Sequence, residues 1–336
     1  MTLQWKRNCK LTIQIDANDP KALDLSQFKI VFTVGQATSE QPKAAEIYIY
    51  NLSASTMNLL AGVDSQKINT QVILECGYGS ELSVVFKGRV FQYRRGRDNP
   101  TDTWLCVLAI SGDAVQNDAL VNQSIPAGTS KNEVSNILVS ETNKYGLVTG
   151  EIASISEQQY PRGRVFFGSL HDSIQQFGKE NNVEFDYADD VISSIDTLKY
   201  SVEPVQVLTP KTGMVGMPQL TSEGLIVKCL LNPKLKRKGR VQVDMTNLQT
   251  EAYDISWTTG GPDQVFKNPK GIEAAKGVFV IQAIEHSGDT RGDEWYTHLV
   301  CTAIKGIVPK TGITINAVDD DWRPPNTSGE SNGPNT

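Results

Sequence analysis

Polar and apolar residues alternate through most of the first third of the chain. Leu11, Ile13 and Ile15 are interleaved with Lys10, Thr12, Gln14 and Asp16, and Phe28, Ile30, Phe32 and Val34 repeat the period of two. That spacing sends successive side chains to opposite faces, as in a half-buried strand. EIYIYN at 46–51 follows, and Ser53 is placed to cap a short helix, STMNLL, that stops at Gly62. QVILECGYG (71–79), VVFKGRVFQY (84–93) and TWLCVLAI (103–110) then read as three more strands. The last two are apolar on both faces, which predicts cover on both sides of the sheet. The region predicts a compact β-barrel or sandwich with one short helix.

From about Gly112 to Leu220 the period changes. Ser130 with Glu133 forms a capping box, Val134, Ile137, Leu138 and Tyr145 follow at helical spacing, and Gly146 ends the run. Ser169 with Asp172 opens a second helix carrying Leu170, Ile174 and Phe177. NNVEFDYADD and DTLKYSVEPV read as the strands after it, giving a small α/β unit. PVQVLTPKTGMVGMPQL (204–220), with three prolines and two glycines, reads as a linker. Strands resume at GLIVKCLLNP (224–233) and RVQVDM (240–245), joined by KLKRKG, and the stretch from Ala317 has the composition of a disordered tail.

Two hairpins share a plan. Lys87 to Ile110 and Lys276 to Ile304 each open on Lys-Gly and run through an apolar strand. Each turns through an Arg/Asp/Gly-rich loop into a strand holding a Trp and a Cys: Trp104 and Cys106, then Trp295 and Cys301. The expected organisation is therefore one β unit built twice, over residues 1–112 and 221–312. Residues 113–220 hold the α/β subdomain and linker, and 313–336 a disordered tail. A unit built twice offers the same edge to two neighbours and can line a ring, which points to an assembly part before an enzyme.

Composition narrows the class. A net charge of −6 over 336 residues argues against a dedicated nucleic-acid binder and is compatible with a surface that DNA passes without sticking. MTLQWKRNCK lacks the apolar core of a secretory leader, and no apolar run nears the ~20 residues that span a bilayer. Cys9, Cys76, Cys106, Cys229 and Cys301 are odd in number and widely spaced, so buried free thiols in a reducing cytoplasm are expected.

Candidate chemistry is sparse, and no catalytic, cofactor-binding or metal-ligating residue is assigned. His171 falls in a helix's first turn, where an exposed imidazole is ordinary, and His298 sits in a strand. Only His286, beside Asp289 and Arg291 in EHSGDTRGDEW, suggests a hydrolase. No nucleophile elbow or zinc signature accompanies it. Asp289, Asp293 and Glu294 miss the spacing of a calcium loop. A charged turn is expected instead, with Gly288 and Gly292 at positive φ and Asp289 capping its own backbone. The basic runs YRRGR (93–97) and KLKRKGR (234–240) read as solvated hairpin tips or blunted edges. The sharper alternative is a salt-sensitive contact with an acidic partner or DNA.

Several motifs then fall in one order: Tyr50–Ser53 (YNLS), Gly77–Tyr78, Phe86–Gly88, Leu230–Pro233 (LLNP) and the His286–Gly292 hairpin. In that order and spacing they resemble the central baseplate hub proteins of tailed bacteriophages, over most of residues 40–305. The resemblance implies a β-rich α+β chain: two tube-like β-barrel or sandwich domains with the small α/β domain inserted between them. It implies a homotrimer in the virion tail, assembled in the host cytoplasm, that joins a six-fold tail tube to a three-fold spike and lines the genome's exit. The implied partners are the tail tube or distal tail protein, the central spike, the tape-measure protein's end and other baseplate proteins. DNA would pass without specific binding, with no cofactor, no catalytic residue and no membrane insertion. A tail-associated hydrolase using His286, and a hub-like part of a pyocin-type or type VI injection machine, are the alternatives.

Overall fold

A computed structural model describes residues 4, 6–17, 19–37, 41–65, 67–197, 199–201, 203–221, 224–244, 249–250, 277–303, 308–310 and 313–315. The first part holds β1 (Arg7–Asp16), β2 (Asp19–Asp24), β3 (Ile30–Gln36), β4 (Ala44–Tyr50), α1 (Ala54–Ala61), β5 (Gln71–Tyr78), β6 (Glu81–Arg97) and β7 (Thr103–Ile110). The middle holds β8 (Leu120–Ile125), α2 (Lys131–Asn143), β9 (Val148–Thr149), β10 (Arg164–Ser169), α3 (Leu170–Asn181), β11 (Val183–Ala188) and β12 (Val191–Asp196). The last part holds β13 (Gln206–Leu208), β14 (Gln219–Thr221), β15 (Gly224–Leu230), β16 (Arg240–Val243), β17 (Gln249–Thr250), β18 (Val278–Asp289) and β19 (Trp295–Ala303). The molecule is thus a β-rich α+β protein.

The alternation read from the sequence becomes burial. Leu11 and Ile13 of β1, and Ile30, Phe32 and Val34 of β3, are buried with Ile47, Ile49, Leu74 and Phe86 in one apolar cluster. Ser53 Oγ accepts from the Thr56 amide and starts α1, and Gly62 at φ 79 ends it. Ser130 and Glu133 form the reciprocal capping box of α2, and Ser169 caps α3 through the Asp172 amide. The two helices pack over β8–β12 around a second cluster that includes Leu138, Ile174, Phe177 and Phe185. A third cluster, with Leu225, Val227, Val241, Phe279 and Leu299, lies under β13–β19.

Fourteen strands form one sheet, ordered β17-β14-β15-β19-β18-β3-β4-β7-β6-β5-β1-β2, with β16 sharing the edge of β18 that β3 uses and β13 beside β16. The order β3-β4-β7-β6-β5-β1 in the first part recurs as β14-β15-β19-β18-β16-β13 in the last. The final pairing differs in sense, antiparallel for β1–β5 and parallel for β13–β16. A bulge interrupts β6 between Val90 and Gln92 and β18 between Ile281 and Ala283. At each bulge the preceding residue exchanges hydrogen bonds with a left-handed corner. Val90 bonds Asn69 and Thr70, and Ile281 bonds Lys238 and Gly239. Asn69 has φ 64 and Lys238 φ 61.

That correspondence corrects the sequence reading of the two hairpins. Aligned on their bulges, Val90 matches Ile281, so Gly88 falls opposite Phe279, Trp104 opposite Tyr296 and Cys106 opposite His298. The shared Lys-Gly, Trp and Cys marks do not superpose, although the strands carrying them do. Trp104 stacks edge-on against Tyr48, while Trp295 is wholly buried.

Four further expectations change. Residues 204–220 are not only linker, because β13 and β14 join the sheet and Pro210–Thr212 makes a 3-10 turn. The strand after β11 is Val191–Asp196, and the described residues of DTLKYSVEPV beyond Asp196 lie outside strands and helices, with the Ser201 amide donating to the Lys238 carbonyl. Gly288 and Gly292 are absent from the left-handed region among the described residues. Gly288 is needed for closeness, since a Cβ there would lie 2.5 Å from Phe32 Cζ and 2.9 Å from Trp295 Cε3. The disordered tail expected over 313–336 is corrected at its start, where Ile313–Ile315 pair antiparallel with Val308–Lys310, and the rest, from 316 onward, lies outside the described residues. The five cysteines are free and buried, and among the described residues no helix is long and apolar enough to cross a membrane.

Candidate assembly interface

β18 is twelve residues long because it serves two neighbours along one edge. Before its bulge, Val278–Val280 pair with β16, and after it Ile284–Asp289 pair antiparallel with β3. The hairpin tip beyond Asp289 grips the first part of the chain. The Thr290 amide donates to the Ile30 carbonyl at 2.9 Å and the Ile30 amide to Thr290 Oγ1 at 2.9 Å. Arg291 reaches the Gln27 carbonyl at 3.1 Å, and Lys29 lies 3.6 Å from Asp289. Leu231 and Trp295, from the last part, are buried in the first part's cluster, where Trp295 meets Phe32 edge to face at 5.7 Å. The charged turn is therefore a docking grip, and the Asp289 carboxylate caps the Arg291 amide at 2.8 Å as its sequence predicts.

The α/β unit joins both β parts through charge. The turn between β11 and β12 is Asp189-Asp190, both left-handed (φ 56 and 59), the backbone of a type I′ hairpin turn. Lys43 Nζ donates to both Asp189 oxygens at 2.8 Å, the Lys87 amide donates to Asp189 at 3.0 Å, and Lys87 Nζ lies 3.7 Å from Asp190. Gln36 Nε2 donates to Asp186 at 2.7 Å. From the other side Arg237 binds Glu184 at 3.0 Å, and Lys238 lies 3.3 Å from Glu184 and donates to the Thr197 carbonyl at 3.2 Å. The Arg237 and Lys238 side chains are only 5% and 7% exposed. KLKRKGR is thus neither a solvated tip nor an open DNA contact at its centre; its acidic partner is the chain's own β11. These groups surround a cleft of about 830 Å³. Burial raises the Asp186 carboxyl, which Arg237 partly offsets, and burial lowers the Lys238 ammonium against the pull of Glu184.

His286 lines this cleft but is buried, its Nδ1 2.8 Å from Thr297 Oγ1. Burial, with the Lys43 charge second, pushes its imidazole down to about 3. Asp289 is engaged with Arg291 and Lys29, so the pair that suggested a hydrolase is not assembled. His171 is half buried beside Tyr187 rather than exposed, and His298 stands opposite Glu285 across β18–β19. Among the described residues no cluster of three His, Cys, Asp or Glu could hold a metal.

YRRGR divides in function. Tyr93 is buried with its hydroxyl 3.1 Å from Thr70 Oγ1, and Arg95 ties the end of α1 through Asn58 Oδ1 at 2.8 Å and the Gly62 carbonyl. Arg94 and Arg97 are exposed on the half of β6 beyond its bulge. That half pairs with β7 on one side and with no strand among the described residues on the other.

A sheet that repeats one strand order and leaves a matching edge open has a fold shared with solved structures of low sequence identity. The 43 kDa tail protein of prophage MuSo2 from Shewanella oneidensis is 9% identical, with TM-score 0.54, over 93% of this chain and 99% of that one. A tail protein from Neisseria meningitidis MC58 is 9% identical, with TM-score 0.53, over 88% and 96%. A Francisella PdpA–VgrG complex matches at 7% identity and TM-score 0.50, over 92% of this chain and 55% of that one. No curated protein matches in sequence. The family model described as baseplate hub gp41 matches residues 9–247, and the chain belongs to that family. It is a structural component of a phage tail baseplate.

Proposed function

We propose that the chain is the baseplate hub that joins the end of the tail tube to the central spike, working as a homotrimer whose lumen the ejected genome crosses. Residues 1–112 are one ring-forming domain and the strands from Gln206 onward the other, beginning before the 221 read from the sequence because β13 and β14 join that sheet, with the α/β domain between them along the chain. One observation carries this reading: the same strand order occurs twice, and β3 of the first copy is seated on the β18 edge of the second. Three such chains present six similar units, which lets a three-fold spike meet a six-fold tube. The tube or distal tail protein, the spike, the tape-measure end and neighbouring baseplate proteins are the expected partners. Particles made without this chain should show, by negative-stain imaging, no tube attached to a spike-bearing baseplate. Infectious particles of normal tail length would contradict the proposal.

A further inference from the structure

The chain contains one example of the contact between its repeated units, and that example gives the geometry of the missing one. Inside the chain, the outer edge of β3 lies on the part of β18 beyond the bulge, with Glu285 opposite Gly35, His286 opposite Val34 and Ser287 opposite Thr33. The repeat supplies a second edge of each kind. The counterpart of β18 beyond its bulge is β6 from Gln92 to Arg97, with no partner strand among the described residues. The counterpart of β3 is β14.

The matching register follows from pairings already stated. Aligned on the bulges, Arg94, Arg95 and Gly96 stand where Glu285, His286 and Ser287 stand. Ala109 then matches Cys301, and their partners Ala45 and Leu225 match each other. Across the next ladder Thr33 pairs with Glu46 as Gln219 pairs with Ile226, Val34 with Ala45 as Leu220 with Leu225, and Gly35 with Ala44 as Thr221 with Gly224. Gln219, Leu220 and Thr221 therefore hold the places of Thr33, Val34 and Gly35.

We infer that β14 of a second copy of this chain pairs antiparallel with the open edge of β6, placing Thr221 opposite Arg94, Leu220 opposite Arg95 and Gln219 opposite Gly96. The inference rests on the hub reading and names the edges that hub would use. The surface around the β6 edge suits a protein partner. Phe91 is 41% exposed at the bulge, and Leu59 and Val63, at the end of α1 that Arg95 holds, are 46% and 84% exposed. An unpaired edge flanked by exposed apolar side chains is a template for an added strand. In the single chain the outer side of β14 carries β17, which pairs in parallel at only two positions, Gln219 and Leu220. A parallel ladder that short is a weak occupant, and the incoming antiparallel strand displaces it. Each copy uses its β6 edge once and its β14 edge once, so the contact is head to tail, the kind that the three-chain ring of the hub reading requires.

The test uses the full chain with Arg94→Cys and Thr221→Cys, apart and together. Residues directly opposed in an antiparallel pair hold their Cβ atoms ~4.5–5.5 Å apart, close enough for oxidation to a disulfide after a small shift. The five native thiols are buried and compete little. Under mild oxidant, in whichever condition gives a multi-chain mass by light scattering, the double variant should form a covalent ladder ending at three chains. A mixture of the two single variants should stop at two, and neither single variant alone should cross-link. Self-linking of Arg94→Cys alone would show that β6 edges meet each other and would overturn the inference. So would a three-chain particle, of parental melting temperature, in which 94 and 221 stay reduced; the hub reading would survive that result. A chain that stays single even with its spike protein present removes both.

Discussion

Burying a neutral His286, with the Lys43 charge acting on it, ties the stability of the chain to pH. The imidazole's folded value of about 3 lies below the ordinary 6.5, so between those values the folded chain binds fewer protons than the unfolded one. Its contribution is complete above pH 6.5 and is lost as the pH falls toward 3. From this residue alone, stability should drop by roughly 2–3 kcal/mol between pH 7 and pH 4.5. His286→Gln, which can still meet Thr297, should flatten that part of the profile in thermal melts. An unchanged slope in the variant would show that other groups set it. Such a role is invisible in sequence, where His286 drew attention only through Asp289 and Arg291. Its real partner, Thr297, lies across the ladder. At Gly288 the nearness of Phe32 and Trp295, rather than a positive φ, excludes a side chain, a constraint that turn chemistry does not reveal.

Among the elements, those set by local chemistry were legible and those set by distant partners were not. The caps at Ser53, Ser130 and Ser169 satisfy the first amides of their helices within three residues, so spacing alone located all three helix starts. β13 and β14 are three residues each, in a stretch of proline and glycine. They are strands only because β16 and β15 offer edges. The basic run 234–240 misled for the same reason, because Glu184, which binds Arg237 and Lys238, lies some fifty residues earlier. That pairing carries a prediction. Arg237→Ala leaves Glu184 without its closest cation and Asp186 without a nearby one, and breaking a buried pair in this way costs on the order of 3–5 kcal/mol. Chemical denaturation should show that loss, whereas Lys234→Ala, on the exposed start of the run, should change stability by under ~0.5 kcal/mol. Equal effects would mean that the cluster does not clamp the α/β unit.

At the scale of the molecule, the doubled plan was legible as two hairpins of like punctuation, yet the marks that revealed it do not coincide in space. Strand order, bulge position and the left-handed corners at Asn69 and Lys238 do coincide. Those features control where a strand leaves one neighbour for another, so they fix the edges a ring would use, and side-chain identity is free to drift. The central claim is that the chain closes with two further copies into a ring of six like units. The most direct test is the solution mass by light scattering of the purified chain, alone and mixed with its spike protein. With a 36.9 kDa chain, the account predicts a three-chain mass near 111 kDa, from 3 × 36.9, in at least one of the two conditions, before any spike mass is added. A single-chain mass in both, with no complex formed, would contradict it.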